Sequence, residues 1–227
     1  MTKKLTDLTR SLNLTFGARR HSPRWPGPHH THALPRAFLM TDSRRFTDPE
    51  PIIDVLPQDV AIVFRHYSHP DRLTMAERLV HMARRQGIRV LIAGDIRLAQ
   101  HTGADGVHLP GHMLSSRRGS GAALARPDWL VTAAVHNRRE LLAATLWPAD
   151  AIFISPVFTT PSHAARRALG LAGLQGLVRR SRLPAFALGG INEQTVARLK
   201  HAGIAGCAGI GLFSAAYEQL GRDSVGI

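Results

Sequence analysis

From Ala37 onward the sequence alternates short apolar runs with longer segments of helical periodicity, and no other feature restricts the fold as tightly. Eight runs occur: Ala37 to Thr41, Val60 to Arg65, Arg89 to Ala93, Asp105 to His108, Leu130 to Ala134, Asp150 to Ile154, Pro184 to Leu188 and Gly206 to Ile210. Short apolar strands separated by helical patterns call for a parallel sheet with crossover helices. Helical patterns fall at Pro70 to Gln86, Arg138 to Trp147, Asn192 to His201 and Gly211 to Leu220, with Asn137 and Asn192 placed as N-caps. Eight such units predict a closed (β/α)8 TIM barrel, one domain over residues 37–220. An open doubly wound sheet would carry a Gly-rich fingerprint after its first strand, and Met40, Thr41 and Asp42 stand there instead.

Residues 1–36 are of a different kind. They are basic and rich in Pro and His, without sustained periodicity, and read as a flexible extension. His29, His30 and His32 lack a further ligand that would fix a metal's geometry, so a solvated tail is the simpler reading. Residues 221–227 read as a short C-terminal tail. The balance of 29 Lys plus Arg against 16 Asp plus Glu favours anionic partners. Net charge identifies no site, however, and nucleic-acid binding rests on charge and tail alone. Cys207 is the single cysteine and lies in an apolar stretch, as a buried structural residue in a reducing cytoplasm would. No run approaches the roughly 18 apolar residues of a membrane span, and the N-terminus lacks a signal-peptide core. A soluble, cytoplasmic chain with no membrane partner is expected; its oligomeric state is not legible.

In a barrel of this kind, binding and catalytic groups sit in the loops after each strand. After the seventh run comes Gly189-Gly190-Ile191-Asn192, and after the eighth Gly209-Ile210-Gly211. Glycines at both positions let the backbone approach a phosphate, and helix N-termini supply N–H donors, so the pair predicts a phosphate site. The other strand ends carry Arg65, Asp95, His108 with His112, His136, and then Ser155, Thr160, Ser162 and His163. Arg65 suits a bidentate grip on an anion, while Asp95 suits either Mg2+ or the cap of the helix beside it. His108, His112, His136 and His163 with Asp95 would be a transition-metal set, but no HxH or HExxH spacing fixes two of them on one element.

Four segments together, Gly103-Ala-Asp-Gly-Val-His-Leu109, Ser155-Pro-Val-Phe-Thr-Thr160, Ala187-Leu-Gly-Gly-Ile-Asn192 and Ala202-Gly-Ile-Ala-Gly206, resemble the thiamine phosphate synthase and thiazole tautomerase family over about residues 37 to 216. In the synthase branch the resemblance implies that an aminopyrimidine diphosphate ionises and a thiazole phosphate captures its methylene carbon, releasing pyrophosphate, with Mg2+ assisting. Arg65 then matches an arginine that orients the diphosphate and Asp95 a magnesium ligand. Thr160, Ser162 and His163 match the pyrophosphate loop beside Ser155. Gly189, Gly190, Gly209, Ile210 and Gly211 match the thiazole phosphate site, and His136 lines the pocket as a proton acceptor.

Departures cluster on the pyrophosphate and magnesium side. Val63 and Tyr67 stand where the family has Gln and Lys, Gly94 where it has Asn, and Met113 where it has a second magnesium-binding Asp. Ala134 replaces a Ser and His163 a Lys. Arg117, Arg118, Arg166 and Arg167 are candidates to restore positive charge. The tautomerase branch implies a metal-free proton transfer by a histidine at the position of His136, and His108-Leu-Pro-Gly111 is closer to that branch. A third alternative is a barrel that keeps the phosphate site as a thiamine phosphate binding or regulatory module. Thiamine phosphate synthase chemistry is the reading carried forward.

Overall fold

In the computed structural model, residues 34–115, 126, 128–160 and 167–223 are described. Eight parallel strands close into a barrel in sequence order: β1 (Ala37–Met40), β2 (Val60–Phe64), β3 (Val90–Ala93), β4 (Gly106–Leu109), β5 (Leu130–Val135), β6 (Ala151–Ile154), β7 (Ala185–Leu188) and β8 (Gly206–Gly209). Each expected run contains its strand to within a residue. The helices are α1 (Arg72–Arg85), α2 (Ile96–Thr102), α3 (Gly111–Ser115), α4 (Arg138–Ala144), α5 (Gly170–Val178) and α6 (Gly211–Asp223), with a 3-10 turn at Pro51–Val55 and another at Val196–Leu199. Among the described residues no helix is long and apolar enough to cross a membrane.

Local chemistry accounts for the elements. α1 buries Met75, Ala76, Leu79, Val80 and Ala83, the spacing of one helical face, and carries Arg84 and Arg85 where the helix dipole favours cations. Asn137 caps α4 by accepting from the Glu140 N–H at 3.0 Å. The helix expected over 192–201 is reduced to the turn at Val196–Leu199. There Asn192 Oδ1 accepts from the N–H of Gln194 and Thr195, and the Thr195 hydroxyl donates to the Gly190 carbonyl at 2.9 Å. These side-chain bonds hold the backbone in a turn that competes with a regular helix.

The barrel interior is filled by Phe38, Phe153 and Phe186, whose rings lie 4.8 to 5.7 Å apart in tilted and edge-on pairs. Such bulk is accommodated because β8 is Gly206-Cys207-Ala208-Gly209, with almost no side-chain volume. A Cβ on Gly206 would meet the Arg36 carbonyl and, at 2.7 Å, the Phe186 ring. β8 also closes the sheet, pairing Ala37 with Cys207 and Leu39 with Gly209. Burial pushes the Cys207 thiol up, which suits the structural role expected of it.

His108 lies in the same interior, sharing a 2.9 Å hydrogen bond with the Thr132 hydroxyl and stacked on Phe153 at 4.9 Å. Burial, helped by the nearby positive Arg65, lowers its pKa to about 3. It is a neutral core residue.

Gly206→Ala is expected to lower unfolding free energy by about 1–3 kcal/mol in urea titrations, as overpacking of a closed interior does. The lowered His108 pKa also sets a pH dependence. An unfolded chain takes up a proton below about pH 6.5 that the folded chain refuses until about pH 3, so stability falls with acidification at about 1.4 kcal/mol per pH unit in that window. Urea titrations at several pH values should show a shallower slope in His108→Asn than in the parent chain.

Candidate active site

Side chains alternate along a strand, so those two residues beyond the interior Phe38, Val63, Ala134, Phe153 and Phe186 emerge at the C-terminal rim. They are Met40, Arg65, His136, Ser155 and Leu188. With Arg45, Thr160 and the turns after β7 and β8 they enclose a pocket of about 180 Å³. The structure therefore brings together Arg65, His136, Ser155, Thr160, Gly189, Gly190, Gly209, Ile210 and Gly211. Asp95 lies apart from that lining and His112 is exposed on α3, while Arg167 is exposed as well. Ser162, His163, Arg117, Arg118 and Arg166 fall outside the described residues, as do His29, His30 and His32.

Two causes account for the glycines. Gly189 and Gly190 have φ of 92° and 67°, and a Cβ on Gly190 would lie 2.5 Å from the Thr159 carbonyl and 2.7 Å from Phe158 Cβ. The loop after β6 presses against this turn, with Phe158 N–H donating to the Gly189 carbonyl at 3.0 Å. Gly209 is different: a Cβ there would make only ordinary contacts, 3.6 Å from the Ile191 carbonyl, so the surrounding protein does not itself demand glycine. α6 then starts at Gly211 with its first turn at the pocket, where backbone N–H groups and the helix dipole favour an anion.

Arg65 is fixed before any ligand arrives. Its backbone N–H donates to the Thr41 hydroxyl at 2.9 Å and its Nε to the Thr41 carbonyl at 2.8 Å, and Asp42 lies 3.5 Å from Nη2. Thr41 is itself held by His66, whose Nδ1 lies 3.0 Å from the hydroxyl and whose Nε2 lies 2.8 Å from the Phe46 carbonyl. A carbonyl only accepts, so Nε2 carries the proton and Nδ1 accepts from Thr41. Burial lowers the pKa of both Arg65 and His66; the guanidinium stays charged and the imidazole neutral near pH 7.

His136 is oriented by Glu140, one helical turn on. Glu140 Oε2 accepts from the His136 backbone N–H at 2.8 Å and from Nδ1 at 2.7 Å, while Oε1 accepts from Asn137 at 3.0 Å. Burial pushes the Glu140 carboxyl up, but the His136 and Asn137 hydrogen bonds outweigh it and leave the group below its usual range. An ionised Glu140 accepts from Nδ1, which leaves Nε2 as the ring nitrogen not committed to it. Gly111 makes space for this pair, since a Cβ there would lie 3.2 Å from Glu140 Oε2.

Asp95 takes the capping role. Its Oδ1 accepts from the Leu98 N–H at 2.9 Å, and its Oδ2 is paired with Arg72 Nη1 at 3.0 Å. Met113, at the place of the second carboxylate, packs against the core. Among the described residues no three His, Cys, Asp or Glu side chains cluster as metal ligands. The magnesium that the resemblance implies therefore does not fit the residues present.

Sequence reasoning missed Arg45, Thr41, His66, Glu140 and Arg72. Glu140 was findable, since it stands three residues after the Asn137 N-cap, where a Glu side chain turns back toward the start of the helix. Arg45 reaches its place through the loop after β1 and Arg72 from the first residue of α1, and neither carries a sequence signal.

Residues 44–213 match the family model described as thiamine monophosphate synthase. A Geobacter sulfurreducens protein provisionally named for thiamine-phosphate synthase is 36% identical over 148 residues, 63% of this chain and 65% of its own length. The thiamine-phosphate synthase of Lactococcus lactis subsp. lactis is 30% identical over 144 residues, 63% of this chain and 66% of that one. The chain thus spans about two thirds of these relatives. The thiamine phosphate pyrophosphorylase from Pyrococcus furiosus has the same fold, with a TM-score of 0.63 at 19% identity over 85% of this chain and 98% of that one. With a family model matched over most of the barrel and a pocket lined by glycine turns at its C-terminal rim, the chain belongs to the thiamine monophosphate synthase family.

Proposed function

We propose that this chain joins an aminopyrimidine diphosphate to a thiazole phosphate, forming thiamine phosphate and releasing pyrophosphate. One observation supports this above the others: Arg65, Thr160 and both glycine turns converge on one pocket with an arginine at one side and a helix N-terminus at the other. Two anionic groups can thus be held at once. The α6 N-terminus and the turn at Gly189 and Gly190 hold the thiazole phosphate. Arg65 and Arg45 face the diphosphate, whose departing charge grows as the carbon–oxygen bond breaks. The thiazole nitrogen then forms the new bond to the methylene carbon. Ser155 and Thr160 orient the reacting ends by hydrogen bonds from the β6 side.

A second reading is favoured by the His136–Glu140 pair. With Nδ1 held by a carboxylate, Nε2 is arranged to move a proton on a thiazole carboxylate phosphate, the tautomerase reaction. Purified chain given the aminopyrimidine diphosphate and the thiazole phosphate should accumulate thiamine phosphate above the no-enzyme control. Arg65→Ala should lower kcat/KM about 10²–10³-fold, and Arg65→Lys should recover little because the planar fork is lost. Product absent from folded chain, with solvent deuterium entering the thiazole carboxylate phosphate in a manner lost in His136→Ala, would replace the synthase reading with the tautomerase. Binding of thiamine phosphate with neither reaction would leave a binding module.

A further inference from the structure

We propose that the Arg72 guanidinium stands in for the divalent cation in this chain, so that anion binding in the pocket and turnover are independent of a metal ion. The turnover half rests on the synthase reading above; the binding half does not. Asp95 has both oxygens committed, Oδ1 to the Leu98 N–H and Oδ2 to Arg72 Nη1. Arg72 is held just as firmly on its other side, with Nη2 donating to the Ala93 carbonyl at 2.9 Å. Its planar fork thus spans the end of β3, and its charge lies 5.9 Å from the Phe64 ring centre and 5.6 Å from that of Tyr67.

Displacement of this group by a metal is opposed on three counts. Magnesium demands near-ideal octahedral oxygen ligation, and Asp95 could supply an oxygen only by abandoning Arg72, a side chain just 16% exposed. That would leave a largely buried guanidinium without its counter-charge, which is strongly unfavourable. The adjoining space is also filled. A Cβ at Gly94 would lie 3.3 Å from the Tyr67 ring and 3.5 Å from Pro110, so these two side chains close over the position where the family has an asparagine. Finally, the charges balance as an exchange. A dication between two carboxylates is neutral, and so is one guanidinium against the single Asp95 once Met113 has replaced the second carboxylate. Positive charge toward the ligand then comes from Arg65 and Arg45 at the pocket wall.

Mn2+ serves as a paramagnetic probe of magnesium sites. Titrated into the full chain, alone and with inorganic pyrophosphate, it should give the same free-ion spectrum as protein-free controls. Stoichiometric depletion of free Mn2+ by the chain, abolished in Asp95→Asn, would overturn the proposal. Calorimetric titration of inorganic pyrophosphate in excess EDTA should show saturable binding that added Mg2+ does not strengthen. An affinity that rises severalfold with Mg2+ would overturn the proposal. Thiamine phosphate formation should proceed equally in EDTA and in Mg2+, and strict Mg2+ dependence would also overturn it. Absence of product under both conditions would sink the synthase reading alone, leaving the Mn2+ result to decide this one.

Discussion

Closure of the sheet between β8 and β1 is the constraint on which the rest of the molecule depends. Three phenylalanines share the interior only because the closing strand gives up its side chains, and the backbone of Gly206 lies directly against the Arg36 carbonyl. Once closed, the barrel has no free edge, and all eight strand ends are delivered to one rim. Every pocket residue is placed by that delivery. Met40, Arg65, His136 and Ser155 meet because they occupy equivalent positions on strands that the closure holds in register.

The rim divides into two halves of different character. Around β7 and β8 the pocket wall is backbone: turn glycines and the first turn of α6 line it, an arrangement that suits an anion whatever the surrounding side chains are. Around β2 to β4 side chains predominate, and there Asp95 is paired with Arg72 beside Tyr67 and Pro110. A backbone site survives sequence change easily because no single side chain carries it. A side-chain site can be rebuilt by a few substitutions, and the departures at Val63, Tyr67, Gly94 and Met113 fall on that half.

The barrel was legible because buried parallel strands leave a repeated apolar signature, and the glycine turns could be placed at the pocket because they follow the last two strands. The glycine argument was nonetheless incomplete: at Gly189 and Gly190 the pressing loop after β6 demands glycine by itself, whereas at Gly209 the protein leaves room for a side chain. Asp95 could be read as a cap or as a metal ligand, and only the three-dimensional position of Arg72, 23 residues earlier in the chain, distinguishes its surroundings. The turn in place of a helix after β7 was hidden for a similar reason. Asn192 was read as an N-cap, but Thr195 precedes the turn at Val196–Leu199, and Asn192 accepts instead in a local turn that Thr195 holds by reaching back to Gly190.

The support beneath Arg65 changes how an anion is captured. A long cationic side chain ordinarily loses about 0.5–1.5 kcal/mol of rotational freedom when a ligand immobilises it. Here Thr41 and Asp42 have already restricted the rotors, and His66 restricts Thr41 in turn. That ordering is a cost of folding, so it is absent from the equilibrium with the ligand. The pocket meets its substrate as a stiff receptor on the β2 side, and discrimination between anions there follows their shape rather than the willingness of an arginine to reach for them.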